Sequence, residues 1–435
     1  MATEAVVSPQ GQEGRERTRR SYLPKLRWYI CGLLFFATTI NYIDRQVLGL
    51  LKPVLEKQLH WTETDYSWIV FAFQLAYGLM MPFVGRMIDW LGMRIGYTVA
   101  VVVWSVAAMA HALAGTAVQF GAARLALGFG ESANFPAAIK TVAHWFPRRE
   151  RALATGVFNS GSNIGALVAP LAVPFLTLRF GWQSAFIFTG AIGFLWIVLW
   201  LLFYREPEEH KWLDPKELAL IRSDGEAQAA QVPYRDLLRS RAAWVFMAGK
   251  FLTDPVWWFY LFWLPGFLNR AYGLDLAHLG LPLVVIYQAS TVGSIGGGWL
   301  SSTLLRRGWS VNRARKTAML ICALAVTSAI FVGQAGAHLW LAVGLVSVAA
   351  AAHQGWSANL YTLTSDLLPK NAVASAVGLG GMAGSMGSLL VVPAIGHWLD
   401  FSHGAYGPLF VVAGSMYLIA LGVIQLIVPK MELTR

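Results

Sequence analysis

Between residues 28 and 429 the chain is a succession of about twelve apolar runs. Each is near the roughly 20 residues that a helix needs to cross a bilayer. In hydrocarbon every backbone N–H and C=O must be paired within its own segment, so runs of this kind fold as membrane-spanning helices. The runs lie at about 28–51, 64–86, 95–115, 118–142, 154–178 and 182–204, then 242–270, 277–305, 317–335, 338–363, 373–397 and 405–429. One long polar interruption, 205–241, parts the first six from the last six. The expected layout is a tail over 1–27, a six-helix bundle over 28–204, a linker over 205–241, a second bundle over 242–429 and a tail over 430–435. An even number of spans puts both tails on one face.

Composition agrees. Only 13% of residues are charged, about half the share of a soluble domain, roughly 25%. The 42 glycines and 19 tryptophans suit close helix crossings and interfacial belts. Cys31 and Cys322 both fall in apolar runs, which argues against a disulfide framework or a metal site. Residues 1–20 are polar and hold no apolar core, so no cleavable signal is expected. A net charge of +11 would suggest nucleic acid in a soluble protein. Here the basic residues crowd the first tail and four connections: Arg86 and Arg94, Arg148 to Arg151, the stretch after Arg205, and Arg306 to Lys316. Alternate connections hold few, chiefly Lys52, Lys57, Arg179 and Arg270. The positive-inside rule then puts both ends in the cytoplasm, with lipid and not nucleic acid as the macroscopic partner. Within the linker, Asp214-Pro215-Lys216-Glu217 reads as the start of a short surface helix.

An internal repeat supports the two halves. Pro147-Arg148, Ala152, Gly156 and Gly165 match Pro369-Lys370, Ala374, Gly378 and Gly387 without a gap, and the same register sets Glu131 against His353. Two parallel repeats, each of an even number of spans, are the pattern of two-lobed carriers with a site near the midplane.

Charge inside the spans locates that site. Asn41-Tyr42-Ile43-Asp44-Arg45-Gln46 interrupts the first run, and Arg124 and Glu131 sit in the fourth. Ionised groups at such depth cost at least a few kcal/mol each unless they are paired or face an aqueous path. Arg124 and Glu131 are seven apart and share a helix face. The first and fourth spans run in opposite directions, so two cross-pairs are expected: Asp44 with Arg124, and Arg45 with Glu131. A purely structural role for these pairs is the plainer reading, but burying ion pairs rarely yields a net gain in stability.

The connection after the second span, Gly85-Arg86-Met87-Ile88-Asp89-Trp90-Leu91-Gly92-Met93-Arg94, resembles the G-x-x-x-D-x-x-G-x-R signature of the major facilitator superfamily. In it Gly85 would allow close helix approach, Gly92 a tight turn, and Asp89 would cap a helix or pair with Arg94. The second-half counterpart near Gly298–Arg307 is degenerate, with Ser302 in place of an acid. The resemblance implies an all-α membrane protein of the major facilitator fold, twelve transmembrane helices in two pseudo-symmetric six-helix bundles. Asn41 to Arg45, Arg124, Gly128 and Glu131 to Pro136 resemble the anion–cation symporter branch, which includes bacterial sugar-acid carriers and the vesicular glutamate transporters. Phe251 to Tyr260 and His353 to Asn359 resemble its hexuronate carriers of galacturonate and glucuronate.

The expected function is therefore proton-coupled import of a hexuronate or related sugar acid by alternating access. Arg45 would fork the substrate carboxylate. Glu131, losing its arginine in a low dielectric, would take a proton, with Asp44 as a second proton site coupled through Arg124. Tyr42, Tyr77, Asn159 and Asn163 from the first half, with Trp257, Trp258, Tyr260, Gln354, Trp356 and Asn359 from the second, would contact the sugar. For each of these a role in interhelical packing weighs equally. Lys250 and Asp254, four apart, are expected to pair. His353 reads either as a core histidine or as a proton relay. The glycine clusters lack the strand-to-helix setting and Lys-Ser/Thr of a nucleotide loop, and no nucleophile or metal constellation stands out. An enzyme is thus not expected, nor a cofactor, and the carrier is expected to be a monomer. The rivals are an aldonate, aldarate or aromatic acid as cargo, or an anion sensor that moves nothing.

Overall fold

The computed structural model describes residues 22–223, 232–368 and 372–430. The outer parts of both tails, Pro369-Lys370 of the repeat and the side chains of Asp89, Arg148 and Arg149 lie outside the described residues. The first half comprises α1 (Leu26–Leu59), α2 (Glu63–Leu91), α3 (Met93–Ala110), α4 (Ala117–Glu131), α5 (Asn134–Trp145), α6 (Arg148–Phe180) and α7 (Trp182–Phe203). Two short helices follow, α8 (Pro215–Ile221) and α9 (Tyr234–Leu237). The second half comprises α10 (Arg241–Tyr272), α11 (Gly280–Arg306), α12 (Val311–Val326), α13 (Leu339–Leu367), α14 (Val373–Phe401) and α15 (Gly407–Ile427). There is no strand among the described residues.

The twelve apolar runs are all helical, with three local departures, the first being that the third run closes as a 3-10 turn over His111–Leu113. The fourth span is two helices, α4 and α5. Pro136 has no N–H to offer the Ser132 carbonyl, and the Ser132 hydroxyl bonds the Phe129 carbonyl at 2.7 Å, so the chain turns at Ser132-Ala133 and leaves Glu131 at the end of α4. The ninth span, begun by α12, finishes as a 3-10 helix over Thr327–Gln334. Elsewhere the boundaries follow local chemistry. Thr62 and Asp65 form a capping box on α2, and Gly92, at φ 77°, allows the tight turn into α3. Among the described residues, seven helical stretches are long and apolar enough to cross a membrane by length and composition: α3, α6, α7, α12 with the 3-10 turn that follows it, α13, α14 and α15. The remaining spans include α1, α4 and α10, the ones that bury Arg45, Glu131 and Lys250.

Packing turns the sequence repeat into a structural one. α1 packs on α6 as α10 packs on α14, α2 on α4 as α11 on α13, and α3 on α7 as the ninth span on α15. The halves meet through α1 with α10, α2 with α14 and α6 with α11. Gly49 brings α1 close to α10, where a Cβ would sit 3.0 Å from the Leu261 carbonyl.

The face opposite the chain ends is tied shut. Lys52 pairs with Glu63 at 2.6 Å and Arg270 with Glu63 at 3.3 Å. Asp400, from α14, accepts the backbone N–H groups of Glu63 at 2.9 Å and Thr64 at 2.7 Å, so the second half caps α2 of the first. The Tyr66 hydroxyl bonds the Phe262 carbonyl at 2.9 Å. Among the described residues, ion pairs cross between the halves only on this face. Along α6 and α11, Gly280 meets the Pro170 carbonyl at the closed end, whereas a Cβ at Gly156, toward the chain ends, would meet nothing within 4 Å.

The start of the connecting stretch is docked on the first half. α8 forms as expected, with the Asp214 carboxylate capping the Lys216 N–H at 2.8 Å. Its Glu217 accepts the backbone N–H groups of Leu26 at 3.0 Å and Arg27 at 3.3 Å and pairs with the Arg27 guanidinium at 2.6 Å. Arg27 also holds Glu150 of α6 at 2.9 Å. His144 of α5 lies 3.0 Å from Glu206, and this hydrogen bond holds the Glu206 carboxyl below the usual carboxylate range.

Candidate functional site

Arg45 stands where α1, α2 and α4 of the first half meet α10 of the second. Its side chain is 2% exposed. Nε and Nη2 both reach Glu131 Oε2, at 3.0 and 2.8 Å, and Nη2 also donates to Asn41 Oδ1 at 3.1 Å. The expected Arg45–Glu131 pair is therefore formed, but through one carboxylate oxygen, and Glu131 Oε1 accepts nothing. Four rings surround the guanidinium: Tyr42 and Tyr77 at 4.9 Å, Phe73 at 5.1 Å and Trp258 at 5.2 Å. A planar, weakly hydrated cation suits such a cage, since aromatic faces are attractive to it once water is gone.

The second expected pair is not formed. Both carboxylate oxygens of Asp44 are buried without a hydrogen-bond partner, and Arg124 keeps Nε and Nη1 unpartnered. The remaining Arg124 nitrogen, Nη2, donates to the Arg45 carbonyl at 3.3 Å, and the guanidinium rests between Phe73 and Phe262. Neighbouring residues on a helix point about 100° apart. With Arg45 turned toward the other half, Asp44 faces into its own bundle beside Thr189 of α7. Three charged side chains with unused hydrogen-bonding atoms thus lie within a few turns of one another, a costly arrangement unless something else engages them.

Across the interface, Lys250 pairs with Asp254 at 2.8 Å, as their spacing predicts. The Lys250 ammonium also donates to the Tyr361 hydroxyl at 3.3 Å and lies 5.0 Å from that ring. Trp257 is half-buried and stacks on His353 at 4.9 Å, and His353 hydrogen-bonds the Tyr417 hydroxyl within the second bundle. Gln354 is half-buried. Asn159 is exposed and Asn163 half-buried on α6. They share the helix face of Pro170, whose carbonyl abuts α11, so they look toward the second half.

Three expected sugar contacts lie inside the second bundle. Tyr260 is fully buried beside Phe259, with its hydroxyl unpartnered. Trp356 packs edge-on against Tyr417 of α15 at 5.4 Å. The Asn359 amide ties α13 to α11 by donating to the Gly297 carbonyl at 3.0 Å, and also bonds the Gly355 carbonyl at 2.9 Å. Phe73 and Tyr361 were not expected at the site. Phe73 stands four residues before Tyr77 and so on its helix face, a signal the sequence did carry. In the loop after α2, Gly92 makes the expected turn and Arg94 donates to the Leu201 carbonyl at 2.5 Å. Gly85 does not bring helices together, since a Cβ there would meet nothing within 4 Å. The Asp89 side chain lies outside the described residues.

The sequence matches the profile of the Major Facilitator Superfamily over residues 34–392. A hexuronate transporter of Escherichia coli (strain K12) is 35% identical over 394 residues, covering 89% of this chain and 90% of that protein. A galacturonate transporter of Dickeya chrysanthemi is 34% identical over 292 residues, covering 66% of this chain and 84% of that protein. Among solved structures, the inward open xylose transporter XylE of E. coli superposes with a TM-score of 0.72 at 14% identity, covering 93% of this chain and 97% of that one. At that identity the likeness concerns the fold alone.

Proposed function

The chain belongs to the major facilitator superfamily, and we propose that it imports a hexuronate or related sugar acid together with protons across a bacterial-type inner membrane. It is a multi-pass membrane transporter, not an enzyme. The basic connections lie on the face of the chain ends, which supports a cytoplasmic placement of both termini. The relatives named for hexuronate and galacturonate support a sugar acid as cargo.

The observation that carries the reading is the Arg45–Glu131 pair inside an aromatic cage at the junction of the halves. A sugar acid brings a carboxylate that competes with Glu131 for Arg45. Arg45 then forks the substrate, while Tyr42, Tyr77 and Trp258 shield the exchange from water and offer ring faces to the pyranose. Glu131, deprived of its arginine in a low dielectric, takes a proton. Asp44 is the second proton site. Arg124 reaches the backbone carbonyl of the neighbouring Arg45 and keeps two nitrogens unpartnered, as Asp44 keeps both its oxygens. Anion and proton load together, and the neutralised site permits the halves to rock.

Uptake into proteoliposomes tests this. An imposed inside-alkaline pH gradient should drive radiolabelled galacturonate to accumulate, and a protonophore should abolish the accumulation. Uptake of an aromatic acid but not of any sugar acid would overturn the cargo. Binding without flux would favour a sensor.

A further inference from the structure

We propose that the Lys250–Asp254 pair is the second pole of the binding cleft, reading the hydroxyl-bearing end of the substrate and rejecting a second carboxylate there. The carrier would then prefer mono-acid sugars to the corresponding di-acids. The inference rests on the sugar-acid reading above and adds the substrate subclass to it.

Position supports it. α1 and α10 run in the same direction from the face of the chain ends, and Trp258 of α10 lies against the Arg45 guanidinium. Asp254 is four residues and Lys250 eight residues nearer that face than Trp258. At 1.5 Å per residue these are steps of about 6 and 12 Å, the scale of a hexopyranose ring with its substituents. Aromatic side chains stand at both poles: Tyr42 and Tyr77 lie 4.9 Å from the Arg45 guanidinium, and Tyr361 lies 5.0 Å from the Lys250 ammonium. A molecule gripped by Arg45 at one end would therefore meet Lys250 and Asp254 at the other.

The chemistry of the pair fits a reader of hydroxyl groups. Its side chains are 10% and 17% exposed, against 2% and 0% for Arg45 and Glu131. The pair is thus less deeply buried than Arg45 and Glu131. One ammonium proton of Lys250 goes to Asp254 and another to Tyr361, which leaves a donor. The Asp254 carboxylate can accept from two hydroxyl groups beside its bond to Lys250. Gly384 of α14 packs directly on Asp254, and any Cβ there would collide with the carboxylate, so the group is held in place. Because Asp254 neutralises Lys250, a second substrate carboxylate would meet a like charge and no free cation. Repulsion built against one competitor is how closely related ligands are told apart.

The full-length protein in nanodiscs is titrated calorimetrically with galacturonate and with galactarate, the di-acid that differs from it by oxidation at C1. Wild type should bind galacturonate at least tenfold more tightly. Asp254→Asn frees the Lys250 charge and removes the repulsion, so the preference should fall at least tenfold or reverse. The double variant Lys250→Met/Asp254→Leu replaces the pair by apolar groups of similar bulk. It should keep its unfolding temperature and lose at least tenfold in galacturonate affinity, which a structural pair would not show. An unchanged ratio in Asp254→Asn, or unchanged affinity in the double variant should the first fail to fold, overturns the proposal. Wild type preferring galactarate overturns it while leaving the sugar-acid reading intact. Wild type binding neither acid overturns both.

Discussion

At the residue scale, the site depends on what a guanidinium does that an ammonium cannot. Arg45 sits among four rings while two of its nitrogens engage one oxygen of Glu131. A lysine would keep the charge but lose the fork and the stacking. Arg45→Lys should therefore fold and yet bind galacturonate about tenfold to a hundredfold more weakly by calorimetry. Wild-type affinity would remove Arg45 as the carboxylate ligand. Glu131→Gln still accepts from Arg45 but cannot carry a proton. It should retain galacturonate exchange down its gradient and lose pH-driven accumulation in proteoliposomes, whereas undiminished uphill uptake would take Glu131 out of coupling.

At the scale of elements, the connecting stretch behaves as part of the first bundle. Glu217 closes the start of α1 with two backbone hydrogen bonds and an ion pair. Glu217→Ala leaves Arg27 with Glu150 alone and two helix-end N–H groups without their acceptor, which should cost about 1–3 kcal/mol and speed protease cleavage between α7 and α10. The Glu206 carboxyl, held low by His144, sets the sign of a pH effect on the same dock. A depressed carboxylate contributes stability that is present above its unfolded value, about 4.3, and is lost as pH falls through the folded value. Cleavage in this stretch should accelerate on acidification below about pH 4.3, and Glu206→Gln should blunt the acceleration. The turn between α4 and α5 is the other element-level device. It ends α4 at Glu131, where the carboxylate stands opposite α1 and not within a continuous helical face.

For the whole molecule, closure on the face away from the chain ends rests on a few charges. Lys52 and Glu63 of the first half, with Arg270 and Asp400 of the second, form one network around the start of α2. The proposed alternating-access cycle requires that network to break. Asp400→Ala removes two charge-assisted hydrogen bonds across the halves, a loss of about 1.5–3 kcal/mol each. That should shift the equilibrium at least tenfold toward the state open on this face. Spin labels at Gln58→Cys and Asp275→Cys, with Cys31 and Cys322 replaced, should report a longer inter-half distance in this variant. An unchanged distribution would mean that the apolar contacts hold the closure.

The sequence by itself determined the twelve spans, the two-fold repeat and the residues that carry charge into the membrane. Those follow from rules that act locally or through the bilayer: a helix must satisfy its own backbone, and a charge in lipid must find a use. The partners Arg45 with Glu131 and Lys250 with Asp254 were legible for the same reason, since complementary charges at matching depth or four apart have few alternatives. Only the tertiary structure decided how each helix is rotated about its axis. That rotation is set by what packs on the helix, such as Gly165 of α6 against the Thr39 carbonyl of α1, and not by the residues of one face alone. At 100° per residue it left Asp44 without Arg124, drew Phe73 and Trp258 around Arg45, and turned Tyr260, Trp356 and Asn359 into the second bundle. The docking of the 205–223 stretch was hidden likewise, because Glu217 meets Arg27 across 190 residues of chain and nothing local marks either as the other's partner.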